Sequence, residues 1–302
     1  AADLGVDGAH EKPLYAAMDW LLERQGRIEK KLSARHLQEG ALALYDLSSS
    51  YFEGVTCPLA KLGHSRDGKP GTLQVNYGMM TDARGCPVAV SVYPGNTADS
   101  KTLVPQLTRL REDFGLKHVV LVGDRGMISQ KQIDVMTPLE GVAWITALRT
   151  ERIRQLVDSG ALQLGLFDEK NLFELEHDDY PGERLVACRN PELAKRRAHK
   201  RESLLAATEV ELAKVKKSVD AGRLRGAAKI GLRVGKVLGK YNVGKHFVLD
   251  IADEAFALER NEERIREEAS LDGIYVVRTS LPKERATAAD AVRSYKKLSR
   301  VE

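Results

Sequence analysis

Residues 44–54 read LYDLSSSYFEG. An apolar run from Ala41 to Tyr45 leads into Asp46, and small or apolar residues follow before Tyr51, Phe52 and Glu53. The stretch reads as a buried strand with a carboxylate in its middle. Taking a carboxylate out of water is costly unless it is paired, protonated or bound to a cation. What surrounds Asp46 therefore decides both the fold and the chemistry.

Upstream, Leu14, Met18, Leu21, Leu22 and Ile28 recur at helical spacing and predict a helix over 11–33. Downstream, GTLQVNYGMM (71–80) and PVAVSVY (87–93) read as strands joined by TDARG, whose Asp82 and Gly85 mark a hairpin. With 41–52 these make three antiparallel strands. After Pro94 the period changes. Leu103, Leu107 and Leu110 share a helical face, Asn96 and Asp99 are candidate caps, and Gly115 is a stop. KHVVLVGD follows, unbroken in apolar character from Val119 to Val122, as in a central strand covered on both faces. A helix over 129–139, a strand over 142–148 and a helix over 150–159 complete the order β-β-β-α-β-α-β-α. This predicts an α/β fold with a mixed sheet, three antiparallel strands and then βαβ units.

Residues 160–283 break that rhythm. Strand-like pieces at 161–167, 171–177 and 183–189 precede a basic helix over 191–221 and a Gly/Lys stretch over 222–245. HFVLDI, an acidic Glu/Arg helix ending near 270 and the buried strand GIYVVRTSL come next. The last piece is helical from Thr287 or upstream, with Val292, Tyr295, Leu298 and Glu302 close to one face. The expected organisation is an N-terminal helical segment (1–40), a core (41–160), an α+β insertion (161–283) and a final helix returning to the core (284–302).

The composition, 43% hydrophobic and 30% charged over 302 residues, is that of a soluble globular protein. No apolar run reaches the ~18 residues a membrane span needs. The opening AADLGVDGAHEKP has neither an initiator Met nor a basic-then-apolar start, so both ends read as cuts in a longer cytoplasmic protein. Cys57, Cys86 and Cys188 are too scattered for a zinc site and odd in number for a disulfide framework, and the seven His show no paired spacing.

The net charge of +4 conceals an asymmetry. Residues 195–246 hold 15 Lys and Arg against 4 Asp and Glu, a local net of +11, which leaves −7 for the rest. Gly222 to Leu249 contains seven cations and no acid, so pairing at i,i+4 does not account for them. Such a block points to a polyanionic partner. Its candidate phosphate contacts are Lys195, Arg196, Arg197, Lys200, Arg201, Arg223, Arg225, Lys229, Arg233, Lys236 and Lys240.

A second acid, Asp124, ends VVLVGD and is followed by Arg125, with which it could form a plain ion pair. In a β-β-β-α-β sheet the first and fourth strands can lie side by side. Asp46 and Asp124 would then face each other, and two ionised carboxylates at short range need a raised pKa or a cation. Mg²⁺ suits such a site, because it takes oxygen ligands and keeps water and phosphate in its shell. Two such ions about 4 Å apart clamp both oxygens of a phosphoryl displacement.

YDLSSSYFEG, YPGNTADSKTL, VLVGDRGMIS and SYKKLSRVE, taken together and in this order, resemble the DDE transposases of bacterial insertion sequences, specifically those with a long β-rich insertion before the catalytic Glu. The resemblance covers Leu42 to Glu302. It implies an RNase H-like catalytic domain with Asp46, Asp124 and Glu302 as catalytic metal ligands for two Mg²⁺ (or Mn²⁺). The implied activity is metal-dependent DNA strand cleavage at transposon ends, followed by strand transfer to target DNA. A homodimer on double-stranded DNA, in the bacterial cytoplasm at the nucleoid, is implied as well. The family's Glu stands seven residues after a Tyr, and Tyr295 and Glu302 keep that spacing. The family's Arg falls at Leu298, a departure for which Arg300 is a substitute out of register; Tyr295 and Arg300 join the expected DNA contacts. Glu53 and Asp99 compete for the third-acid role. Three rivals remain: a stand-alone RNase H-like nuclease, a non-catalytic DNA-binding transposase remnant, and a small-molecule phosphate-ester hydrolase, which the basic block disfavours.

Overall fold

The computed structural model describes residues 10–301. They form two compact units, one of residues 10–149, 174–186 and 277–301, the other of 150–173 and 187–276.

The first unit opens with α1 (Glu11–His36). The strand carrying Asp46 is β1 (Leu42–Phe52); a short β2 (Lys61–Leu62) follows, then β3 (Leu73–Thr81) and β4 (Pro87–Pro94). β1 and β3 pair antiparallel with Asp46 opposite Met79, and β3 and β4 form the expected hairpin. Its turn is closed by Asp82 Oδ1, which accepts from the Arg84 and Cys86 N–H groups, and Gly85 supplies φ +89°.

The next helix, α2 (Asp99–Thr108), continues as a π-helical turn to Asp113 and ends at Gly115. Ala98 is its N-cap, so neither Asn96 nor Asp99 caps it. Asp99 pairs with Arg66 instead (2.8 Å), a partner 33 residues away that local spacing cannot reveal. β5 (Val119–Val122), α3 (Gln130–Met136) and β6 (Val142–Ala147) follow. β1, β5 and β6 run parallel, in the order β4–β3–β1–β5–β6 with β2 also on β3. That order and those directions are the RNase H-like mixed sheet. It continues through β11 (Ile274–Thr279), antiparallel to β6, then β8 (Arg184–Arg189) and β7 (Leu172–Leu175).

Tyr45 is fully buried in the core cluster with Leu47, Met80, Leu103, Leu110 and Leu121. Its ring lies over Gly78, where an added Cβ would stand 2.2 Å from the Tyr45 hydroxyl. Glycine is therefore required at 78 for the strand that carries Asp46 to pack. The last helix, α8 (Ala288–Lys296), starts with the reciprocal capping of Thr287 and Asp290. It runs into a 3-10 turn, Lys297–Arg300, that packs on β1.

The second unit contains α4 (Thr150–Asp158), a 30-residue α5 (Pro191–Asp220), α6 (Ala227–Tyr241), the hairpin β9 (Phe247–Ile251) and β10 (Phe256–Arg260), and α7 (Glu262–Ala269). Two local expectations are corrected. Residues 161–167 are not a strand; Leu164–Asp168 form a 3-10 turn. β10 was hidden in what reads as the lead-in to the acidic helix. The Gly/Lys stretch is largely helical, as α6, despite three interior glycines that each cost about 1 kcal/mol relative to Ala. Ile230, Val234, Val237 and Leu238 bury its apolar face in a cluster with Leu212, Val215 and Phe256, which offsets that cost. The Asp253 carboxylate accepts from the Ala227 N–H and serves as the cap that Gly226 cannot provide.

Candidate active site

The β1–β5 ladder pairs Leu42 with Val120, Ala43 with Leu121 and Leu44 with Val122. Two residues beyond Leu44 stands Asp46, and two beyond Val122 stands Asp124. Side chains repeat every second residue along a strand, so this register, continued past the end of β5 at Val122, would bring both acids to one face at the end of the parallel pair. Neighbouring strands lie about 4.8 Å apart, within the span of one cation's ligand shell. Both acids are half-buried. The carboxyl end of parallel strands at the sheet's centre is also where α/β folds place ligands.

The backbone holds Asp124 in place. Its Oδ1 accepts from the Gly126 and Met127 N–H groups (3.0 and 2.7 Å), while the Ile128 N–H donates to its main-chain oxygen. Oδ2 makes no hydrogen bond among the described residues. Arg125 is exposed and forms no ion pair with Asp124, which removes the plain salt-bridge reading. Glu53 is exposed at the end of β1. The donor set, two oxygen ligands with one oriented by backbone N–H groups, fits a hard divalent cation.

Glu302 lies outside the described residues. The turn leading to it packs on β1. Leu298, where the resembled family has Arg, is 6% exposed and takes part in that packing. Arg300 is exposed, reaches the Ala83 carbonyl (3.4 Å) and lies against Gly85. Tyr295 is half-buried.

Beside the Asp124 loop a cavity of about 510 Å³ is lined by His64, Arg66, Asn76, Asp99 and Gly126. Asn76, 5% exposed, donates to the Thr97 carbonyl and fixes its wall. Nothing in local spacing marks His64, Arg66 or Asn76; the pairing of β2, β3 and β4 brings them together.

Among the described residues one group of three metal-ligand types converges, His36, Asp82 and Cys86, with ligand atoms within 4.8 Å of one another. The Arg84 guanidinium already sits there, bonded to Asp82 and to His36 Nδ1. Burial pushes the Asp82 carboxyl up, but the Cys86 and Arg84 hydrogen bonds outweigh it and hold the group below its ordinary value.

In the second unit, Lys229, Arg233, Lys236 and Lys240 recur at i, i+4, i+7 and i+11 and form one exposed row on α6. Arg196, Arg197 and Lys200 are exposed on α5. Arg223 is exposed and makes no ion pair among the described residues. Arg201 forms a two-bond pair with Asp272, Lys195 pairs with Glu192 (3.2 Å) and Arg225 with Glu254 (3.6 Å). A cavity of about 540 Å³ in this unit is lined by Arg154, Arg197, Lys200 and Lys245, with Glu268 and Asp272.

A family model described as "Transposase DDE domain" matches residues 55–302. The chain therefore belongs to the DDE transposase domain family. The matched span includes Asp124 and begins nine residues after Asp46. No curated protein matches the chain. Among solved structures, the piggyBac transposase synaptic complex with hairpin DNA is 14% identical, with 51% of this chain and 32% of that one covered at a TM-score of 0.36. A Mos1 transposase paired-end complex with the left transposon end is 15% identical, with 44% and 45% covered at a TM-score of 0.25. The match spans about a third to a half of those chains. No helix among the described residues is long and apolar enough to cross a membrane.

Proposed function

We propose that the chain is the catalytic part of a DDE transposase, which cleaves DNA at transposon ends and transfers the exposed 3′-OH to target DNA. The observation that carries this reading is the β1–β5 register in a chain of this family: Leu44 pairs with Val122, and the same register continued by two residues would bring Asp46 beside Asp124. Glu302 would supply the third carboxylate. Two bound Mg²⁺ or Mn²⁺ would neutralise the acids, activate water or the 3′-OH, and stabilise the leaving oxygen. Asp46 and Asp124 would anchor those ions without attacking the phosphorus. The Gly126 and Met127 N–H groups would keep the Asp124 carboxylate in one rotamer, so that little reorganisation is needed during reaction.

The α6 row and the exposed α5 cations would bind the DNA backbone. Such contacts give affinity and position without sequence information. Synapsis of two transposon ends would require two copies of the chain. The test is calorimetric titration of Mg²⁺ or Mn²⁺, with a short transposon-end duplex present, into the parent, Asp46→Asn and Asp124→Asn. Binding in the parent that both variants lose is expected. Equal binding in all three would overturn the site. Strand-transfer assays on the same duplex then separate a transposase from a nuclease, which cuts without joining, and from a remnant that binds without cutting.

A further inference from the structure

The last turn of α1 and the turn of the β3–β4 hairpin bring together His36, Asp82 and Cys86, which lie too far apart in sequence to read as a set. The hairpin places two of them. The Asp82 N–H donates to the Cys86 carbonyl (3.0 Å), and the Cys86 N–H donates back to Asp82 Oδ1 (3.0 Å). The Arg84 N–H donates to that same oxygen (2.8 Å), so Oδ1 is taken up by the backbone while Oδ2 faces His36 Nδ1 at 3.8 Å. Asp82 is 4% exposed, and a carboxylate at that depth needs a cation. The cation beside it is the Arg84 guanidinium, which bonds both to Asp82 Oδ2 (2.7 Å) and to His36 Nδ1 (3.0 Å). Arginine has no acceptor, so Nδ1 must accept, and the ring's lone pair points at the guanidinium. A carboxylate oxygen and an imidazole lone pair thus converge on one positive group, with the Cys86 sulfur within 4.8 Å of both. The Arg84 side chain is itself 68% exposed, so releasing it to water costs little.

We propose that this cluster is a transition-metal site, for Zn²⁺ above all, in which the ion replaces the Arg84 guanidinium and is bound by His36 Nδ1, Asp82 Oδ2 and the Cys86 thiolate. The thiol proton passes to solvent on binding, and a water fills the fourth position. The donor set selects the ion. One nitrogen, one oxygen and one sulfur suit borderline-soft Zn²⁺ or Co²⁺ and disfavour Mg²⁺, which takes oxygen. Tetrahedral zinc holds its ligand atoms about 3.3–3.6 Å apart, so closing the cluster requires shifts on the order of 1 Å or less, within reach of side-chain rotation. With one ligand on α1 and two on the hairpin, the bound ion would clasp the end of the helix to the β3–β4 turn. The cluster shares no residue with Asp46, Asp124 and Glu302, so it stands or falls apart from the catalytic proposal.

Cobalt titration of the 302-residue chain, first treated with chelator, tests it, because Co²⁺ bound by a thiolate shows a sulfur-to-metal charge-transfer absorption. One Co²⁺ with that band and a tetrahedral visible spectrum is expected, displaced by Zn²⁺ and untouched by excess Mg²⁺. Cys86→Ser should abolish the charge-transfer band, Cys57→Ser should keep it, and His36→Gln should weaken binding at least about tenfold. Arg84→Met should tighten binding by up to about fivefold, the worth of the one exposed ion pair that competes with the metal. Zn²⁺ should raise the melting temperature of the parent and not that of His36→Gln. Asp124→Asn should leave the cobalt spectrum unchanged, which separates this site from the catalytic acids. A parent without the charge-transfer band would overturn the proposal and leave the cluster an Arg84 ion pair. A band that survives Cys86→Ser, or binding that Arg84→Met weakens, would overturn it too.

Discussion

In the first unit several charges below the surface come as matched pairs: Glu29 with Arg109, Glu183 with Arg278, Glu174 with Arg184. Arg278 and Glu183 are 7% and 4% exposed in their side chains, and the Trp144 indole N–H also donates to that carboxylate. In the second unit Arg260 gathers Glu202 and Glu209, and Arg201 holds Asp272, yet Arg196, Arg197, Lys200, Lys229, Arg233 and Lys236 have no ion pair among the described residues. The two units put charge to different uses. A buried pair fixes geometry, and one member cannot leave without exposing the other. A solvated, unpaired cation costs little to maintain and is ready for phosphate. Asp46, in β1, and Asp124, two residues past the end of β5, are half-buried acids at the carboxyl end of this parallel pair.

The contrast can be broken most sharply at those acids. Asp124→Asn keeps shape and removes charge. Strand cleavage should fall on the order of 10³-fold or more, as when one anchor of an electrostatic site is lost, with thermal stability unchanged or raised. Cleavage rates and melting curves on one preparation check both parts. Stability should drop most where a buried pair is split. Arg278→Met leaves Glu183 charged and unpartnered and should cost about 3–5 kcal/mol in chemical denaturation, whereas Arg196→Met on α5 should cost nothing measurable.

Replacing Lys229, Arg233, Lys236 and Lys240 by Ala should weaken DNA binding. It should flatten the slope of log K against log salt by about 0.9 for each phosphate contact removed, read by fluorescence anisotropy at several salt concentrations. A slope identical to the parent's would mean that the row does not touch phosphate. Smaller still is the cap of α8. Thr287→Ala should cost about 1 kcal/mol and shift the melting temperature by a few degrees. The smallest effect is on the acid limb. Hydrogen bonds from Arg260 hold the Glu209 carboxyl below its ordinary 4.5. The stability from that pair is therefore complete above pH about 4.5 and fades as pH falls through the lowered folded value. Arg260→Gln should flatten melting temperature against pH below 4.5, discounted because the pair is partly exposed.

How much of this was legible in the sequence depended on how local the signal was. β1, β3, β4, β5 and β6 each carry their period in their own residues, and β1 and β5 pair as neighbours. α6 was obscured because its glycines speak against a helix while the burial that supports it comes from α5 and the β9–β10 hairpin. β10 alternates charge with apolar residues over five positions and becomes a strand only through its pairing with β9. The Arg66–Asp99 pair joins residues 33 apart. Leu298, where the resembled family has Arg, is buried, which its place in the sequence does not reveal.

The sheet also sets a timetable. β6 pairs on one side with β5, just ahead of it in the chain, but on the other with β11, whose Val277 meets Ala147. At 5–20 residues per second, the roughly 130 residues between those partners take roughly 6–25 s to synthesise. For that interval an emerging chain holds the mixed sheet of β1 to β6 with an open edge at β6, the kind of surface that recruits foreign strands. The nascent protein should therefore depend on chaperones at this stage more than its finished stability would indicate.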